Sequence, residues 1–309
     1  MSLHDELSAA LTSGRLEDID GGPDDDLDGV RALLAIYELW LAPVDTLDGT
    51  ERFQNHPVIA GIKWRLEQRL IEQFDAWLEP TQPTSADPVD ALRRIAHRDD
   101  SGVYDWVATA ATWDQLVMFL AIEGGPDGGF DDLVSLCQVG IRGEAKVVLG
   151  ANYWDEMGGG DPAAVHTVLH ERLCAAVEMP RLRDEELPVS ALYRKALNGL
   201  LATNRALQAE MIGALGLLEL EAGPNCRRVL RALERLSAPA DAIPFYAEHA
   251  STDPRHGKEW LDGAVAPLVE AQPSWGPRII RGARWRAELN DRLFADVKLL
   301  LTHHLLRTA

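Results

Sequence analysis

The sequence predicts an all-α protein, and three observations predict it. Apolar residues recur at spacings of three and four in segment after segment. No run of alternating residues is bounded by hairpin turns, and β-branched pairs such as Val147-Val148 sit inside longer helical periods. No stretch of 18 apolar residues occurs, so no helix is expected to span a membrane.

The elements follow in order. Residues 1–30 hold nine acids and one base, a net −8, and residues 1–26 are expected to be a mobile acidic segment. Residues 27–309 are expected to form a single helical domain. Its first helix is marked by Leu27, Val30, Leu33, Leu34, Tyr37 and Leu41. The second runs from Val58 to Leu78, with Ile62, Leu66, Leu70 and Phe74 on one face. The stretch 79–88 is rich in Pro and small polar residues and reads as an exposed connection. Further helices are expected near 88–97, 104–122, 130–157, 162–178, 188–202, 204–221, 225–237, 242–256, 258–271 and 276–306. Trp40, Trp64, Trp77, Trp106 and Trp113 fall at core spacings. Two boundaries bear on chemistry. Gly158-Gly159-Gly160 should end one helix, with Asp161 capping the next and Pro162 in its first turn. Pro254 disfavours α geometry at Asp253, so a kink or restart is expected there.

Composition narrows the function. Hydrophobic residues make up 46% of the 309, enough for a core. The 49 acids against 30 bases give −19, which argues against nucleic-acid partners and anionic membrane surfaces. Cys137, Cys174 and Cys226 are too scattered for a disulfide framework and read as reduced, buried thiols. The first residues lack a basic and apolar leader pattern, so a cytoplasmic location is expected.

Three constellations could carry chemistry. His249, Asp253 and His256 would project within about 60° of one another on a helix. Two imidazoles and a carboxylate suit non-haem iron; a solvated polar face has the same pattern. Glu156 and His166 flank the glycine turn, which lets two helix ends converge, although a surface Glu at an ordinary turn reads the same way. Glu219 sits in an apolar stretch, where a carboxylate needs a partner or a metal unless it faces water. Glu123 has the same character. Arg142 and Lys146, four apart, could receive a substrate carboxylate or be a solvated basic pair. The paired Glu-x-x-His motifs of a ferritin-like bundle are absent. So are a P-loop, a dinucleotide glycine motif and GxSxG.

Five stretches together resemble the iron-containing redox enzymes of haem-oxygenase-like fold. They are Phe130–Leu133, Gln138–Lys146, Asn152–His166, Gly213–Glu219 and Phe245–His256, in matching order over roughly 105–300. The resemblance implies a haem-oxygenase-like helical bundle, here with additional N-terminal helices, holding two non-haem iron ions and no haem. A Mn/Fe pair is the alternative. It implies Glu156, His166, Glu219, His249, Asp253 and His256 as metal ligands, with Glu123 as a less certain extra carboxylate. No catalytic residue beyond the ligands is expected. The implied activity is O₂-dependent oxidation of a small amino-acid-like or fatty-acid-like substrate. An external electron donor and a homodimer are compatible with it. The competing expectation is a metal-free helical binding or partner protein on the same scaffold.

Overall fold

The computed structural model describes residues 1–19, 21–78, 87–96, 101–124 and 129–303, and these contain helices and no strand. The N-terminal helices are α1 (Leu3–Ser13), α2 (Asp26–Leu41) and α3 (Pro57–Trp77). Next come α4 (Pro88–Ala96), α5 (Val103–Thr109), α6 (Trp113–Glu123) and α7 (Phe130–Cys137). The ligand-bearing region comprises α8 (Gly143–Glu156), α9 (His166–Ala176), α10 (Val189–Ala202), α11 (Gln208–Arg235) and α12 (Pro244–Glu259). A π-helical turn at Trp260–Val265 leads into α13 (Ala266–Ala271), and α14 (Trp275–Thr302) follows. The expected connection at 79–86 and the chain after 303 lie outside the described residues.

Helix α11 is the axis of the fold. It packs along α12 on one side and α14 on the other. Contact with α14 is backbone to backbone: a Cβ on Gly213 would meet the Ile279 carbonyl, and one on Gly282 the Glu210 carbonyl. Trp260 anchors the π turn by donating its indole N–H to the Ile212 carbonyl at 3.0 Å.

The structure corrects several expectations. The leading segment is not a free tail. Leu3, Leu7 and Leu11 of α1 are buried in the main core. Buried Asp28 of α2 accepts from the Leu3, His4 and Asp24 amides at 2.9–3.0 Å, which satisfies free N–H groups at the start of α1. The acids there alternate with a helical leucine stripe, and the stripe decides the outcome. The expected 104–122 helix is broken at Ala110–Thr112, and the expected 130–157 helix at Gln138–Arg142. Trp40 and Trp64 are exposed; the fully buried tryptophans are Trp260 and Trp285. Helix α12 also continues through Pro254. Proline removes the bond to the Ala250 carbonyl, and Arg227 of α11 donates to that carbonyl instead, at 3.0 Å.

Candidate metal centre

Four helices bring the six side chains implied by the resemblance to one place. Glu156 is the last residue of α8 and His166 the first of α9. Between them Gly158, Gly159 and Gly160 all have positive φ, at 64°, 61° and 93°, which only glycine adopts without cost. A Cβ at Gly158 would also meet the Ala164 backbone at 2.6 Å. The chain therefore reverses tightly, and His166 Nδ1 comes within 2.7 Å of Glu156 Oε2. Asp161 caps this turn, accepting from the Ala163 amide, rather than the next helix, which starts four residues after Pro162. On the other side, Gly223 of α11 faces the Pro254 ring, and Gly257 of α12 faces the Glu219 carbonyl. These glycines let α11 and α12 approach closely enough for Glu219 to meet His256.

Two overlapping clusters result. Glu156, His166 and His249 offer ligand atoms within 4.8 Å of one another, and so do Glu156, Glu219 and His256. Glu156 belongs to both. Asp253 lies beside the second, with Oδ1 3.7 Å from His256 Nδ1. His249 is half-buried; the other five are almost fully buried.

Neighbouring groups aim these side chains. The Asn152 amide donates to Glu219 Oε1 at 2.8 Å. The Phe245 carbonyl can only accept, so His249 Nδ1, 2.7 Å away, carries the hydrogen and Nε2 keeps its lone pair. Asp155 Oδ2 lies 3.0 Å from His256 Nε2 and 2.6 Å from Arg255, which leaves His256 Nδ1 facing Glu219 and Asp253. Such outer contacts fix ring orientation and raise ligand basicity. Sequence reasoning passed over Asn152 and Asp155, though both stand in the quoted stretch. Their spacing to each other, and Asn152's to Glu156, puts all three on one helix face.

The electrostatics are those of ligands holding protons in place of a metal. Burial pushes the Glu219 carboxyl up to about 7, with Asp253 and Glu156 adding to the rise against the opposing pull of His256. Burial opposes a charge on His256, but Asp253, Glu219 and Asp155 together raise it to about 11. His166 is likewise raised by Glu156 against the effect of burial. Asn152 Oδ1, His166 Nδ1, Asp253 Oδ2 and His256 Nδ1 are buried without an aligned hydrogen bond. Buried polar atoms are normally satisfied, and four such atoms at one spot, three of them on ligand-type side chains, fit a bound cation. The donor set of imidazoles and carboxylates suits iron.

A model of the iron-containing redox enzyme family matches residues 125–291. The chain belongs to this family. The fold of this iron-containing redox enzyme is haem-oxygenase-like, and the matched region carries all six converging side chains. The crystal structure of a CADD-like protein of unknown function from Nostoc punctiforme is similar at a TM-score of 0.50. Identity is 15%, covering 75% of this chain and 97% of that one. No curated protein matches. Among the described residues, no helix is long and apolar enough to cross a membrane.

Three other expected site residues lie elsewhere. Glu123 joins neither cluster; its carboxylate accepts from the Tyr104 hydroxyl at 3.0 Å and lies 3.9 Å from Arg194. Arg142 and Lys146 are exposed near the start of α8, the opposite end from Glu156, and Lys146 donates to the Gln138 carbonyl. Over a helix of this length the ends are about 20 Å apart, so this basic pair is not at the centre.

Proposed function

We propose that this chain is a non-haem di-iron oxidase or oxygenase that uses O₂ to oxidise a small organic substrate. The observation that carries the reading is Glu156, shared between two ligand clusters. A carboxylate has two oxygens and can serve two ions, whereas each imidazole serves one. Glu156, His166 and His249 would hold one iron; Glu219, Asp253 and His256, with Glu156, would hold the other. Bound iron supplies the electrons and the open coordination positions for O₂. The protein's own contribution is orientation and charge. Asn152, Asp155 and the Phe245 carbonyl hold Glu219, His256 and His249 in place before metal arrives. Three carboxylates offset the cations in a site that water scarcely reaches.

The metal-free binding alternative is disfavoured by the company these side chains keep. Among the described residues their charged contacts are with one another and with Asp155, at 2.7–3.7 Å, rather than with Arg or Lys partners that would neutralise the carboxylates without a metal.

Anaerobic loading with Fe(II) followed by metal analysis tests the reading, with O₂ uptake then measured against amino acids and fatty acids. About two irons per chain are expected, with a marked loss in His249→Ala and Glu156→Ala. Fewer than about one iron per chain, unchanged by those substitutions, would sink the proposal. Element-specific X-ray fluorescence separates an Fe/Fe from a Mn/Fe pair.

A further inference from the structure

A second group of donor side chains lies on α9, outside the carboxylate cluster. His170 and Cys174 are four residues apart and so share a helix face. The helix is closed by a left-handed residue, Glu178, with a φ of 51°. The Glu178 amide donates to the Ala175 carbonyl at 3.4 Å, and the Met179 amide to the Cys174 carbonyl at 2.9 Å. This pair of bonds is a Schellman closure, which folds the residue after the turn back over the last turn of the helix. Met179 Sδ therefore sits 3.6 Å from Cys174 Sγ. Both ring nitrogens of His170 lie 3.7–3.8 Å from the same sulfur.

These separations match the spacing of donors around one ion. With bonds of about 2.3 Å to sulfur and about 2.0 Å to nitrogen, neighbouring donors stand about 3.5–4.0 Å apart at tetrahedral or trigonal angles. The His170 ring turns softly about its bond to Cβ, so either nitrogen can present its lone pair. The three side chains line a cavity of about 850 Å³ that reaches solvent at exposed Glu171 and Glu178.

The donors select the ion. A thiolate and a thioether are soft ligands, and together with an imidazole they suit monovalent copper. Zinc takes thiolate, imidazole and carboxylate, and a thioether is not among its usual ligands. Among the described residues, no carboxylate joins His170 and Cys174 in a group of three ligand atoms. Burial pushes the Cys174 thiol up, and a bound cation offsets this by stabilising the thiolate.

We infer that Cys174, His170 and Met179 form a binding site for a single monovalent copper ion, separate from the carboxylate-rich centre. Binding makes bonds from copper to the two sulfurs and to one ring nitrogen. The S–H bond of Cys174 breaks, its proton leaves to solvent, and no oxidation state changes. One chain thus carries two donor sets of different hardness, the oxygen-rich one for iron and the sulfur-rich one for copper.

Anaerobic titration of the full chain with Cu(I), buffered by a chromophoric Cu(I) chelator, tests the site. A single tightly held copper per chain is expected, and copper-edge X-ray absorption should show a mixed sulfur and nitrogen shell. The ion should also block iodoacetamide labelling of Cys174. Met179→Leu conserves side-chain volume and should weaken binding by at least about tenfold, the cost of losing even an outer partner of a metal. Cys174→Ser should weaken it further, and His249→Ala should leave it unchanged. Thermal melts confirm that each variant folds. Copper affinity within about twofold of the parent in both Met179→Leu and His170→Gln would overturn the site, since a ligand's loss should exceed that and the thiol alone would then hold the ion. Copper binding that His249→Ala or Glu156→Ala removes and Cys174→Ser spares would also overturn it, by moving the ion to the carboxylate cluster. The titration contains no iron, so its outcome is independent of the di-iron reading.

Discussion

Replacing Asp155 by alanine isolates the outer contact of one histidine ligand. Asp155 is only partly buried and is not a proposed ligand. Its carboxylate meets His256 Nε2 at 3.0 Å and Arg255 at 2.6 Å. Burial alone would raise its proton affinity, but the hydrogen bonds from Arg255 and His256 hold the carboxyl below its ordinary range. Asp155→Ala leaves the His256 ring, which is fully buried, free to turn about its bond to Cβ. Loss of such a partner costs about 10–100-fold in metal affinity, or about 1.4–2.8 kcal/mol. The assay is anaerobic competition for Fe(II) against a chromophoric chelator, with thermal melts confirming the fold. Asp155→Asn keeps one acceptor oxygen and should recover part of the loss. Glu259→Ala, which removes only the other partner of Arg255 at 3.1 Å, should leave affinity unchanged. An Asp155→Ala protein that folds and binds iron within about twofold of the parent would refute this account of how His256 is aimed, since second-sphere loss should exceed that.

Three further outcomes are expected. Asp28→Ala should destabilise the chain by about 1–3 kcal/mol in urea at pH 7, because it strips acceptors from the Leu3, His4 and Asp24 amides. Burial raises the Asp28 carboxyl, but those amides outweigh it and the folded-state value lies below 3.8. The contribution should therefore be complete above about pH 5 and shrink as pH falls through the folded value. Gly213→Ala should lower the Tm by at least about 3 °C, since its Cβ meets backbone of α14 that cannot rotate away. Iodoacetamide should label Cys174, which is half-buried, about tenfold faster than Cys137 or Cys226. Burial pushes the Cys137 thiol up to about 12. Peptide mass mapping over a time course reads the order.

Helix existence was legible because it depends on local spacing, as in α2 and α3. Helix interruption was not. Pro254 signals a kink by itself, and only the Arg227 side chain of another helix explains why α12 continues. Tryptophan burial failed for a related reason. Trp64 has core spacing but is exposed, with no helix over its face among the described residues, whereas Trp260 finds a slot opened by Gly216. At the centre, the His249–Asp253–His256 spacing was readable as one helix face. Asp155, which aims His256, belongs to α8, and a contact spanning about a hundred residues leaves no local trace. Glu123 resembled Glu219 in sequence, each a carboxylate after an apolar run. The fold separates them, since Glu123 ends α6 beside Arg194 while Glu219 stands mid-helix facing α12.

The triple-glycine turn also bears on the order in which the centre assembles. Glu156 and His166 are about ten residues apart in sequence, Glu219 and His256 about 37. Loop-closure entropy grows as (3/2)RT ln n, so the first pair is favoured by about 1 kcal/mol on chain statistics alone. A reversing turn that glycine adopts without strain adds to the difference. Two of the six side chains are thus brought together by a local hairpin that can form before α11 and α12 dock, and contacts of short sequence separation form fastest. During refolding, protection of the α8–α9 amides should precede that of α12. Iron added early would meet a two-residue foothold rather than a finished cage.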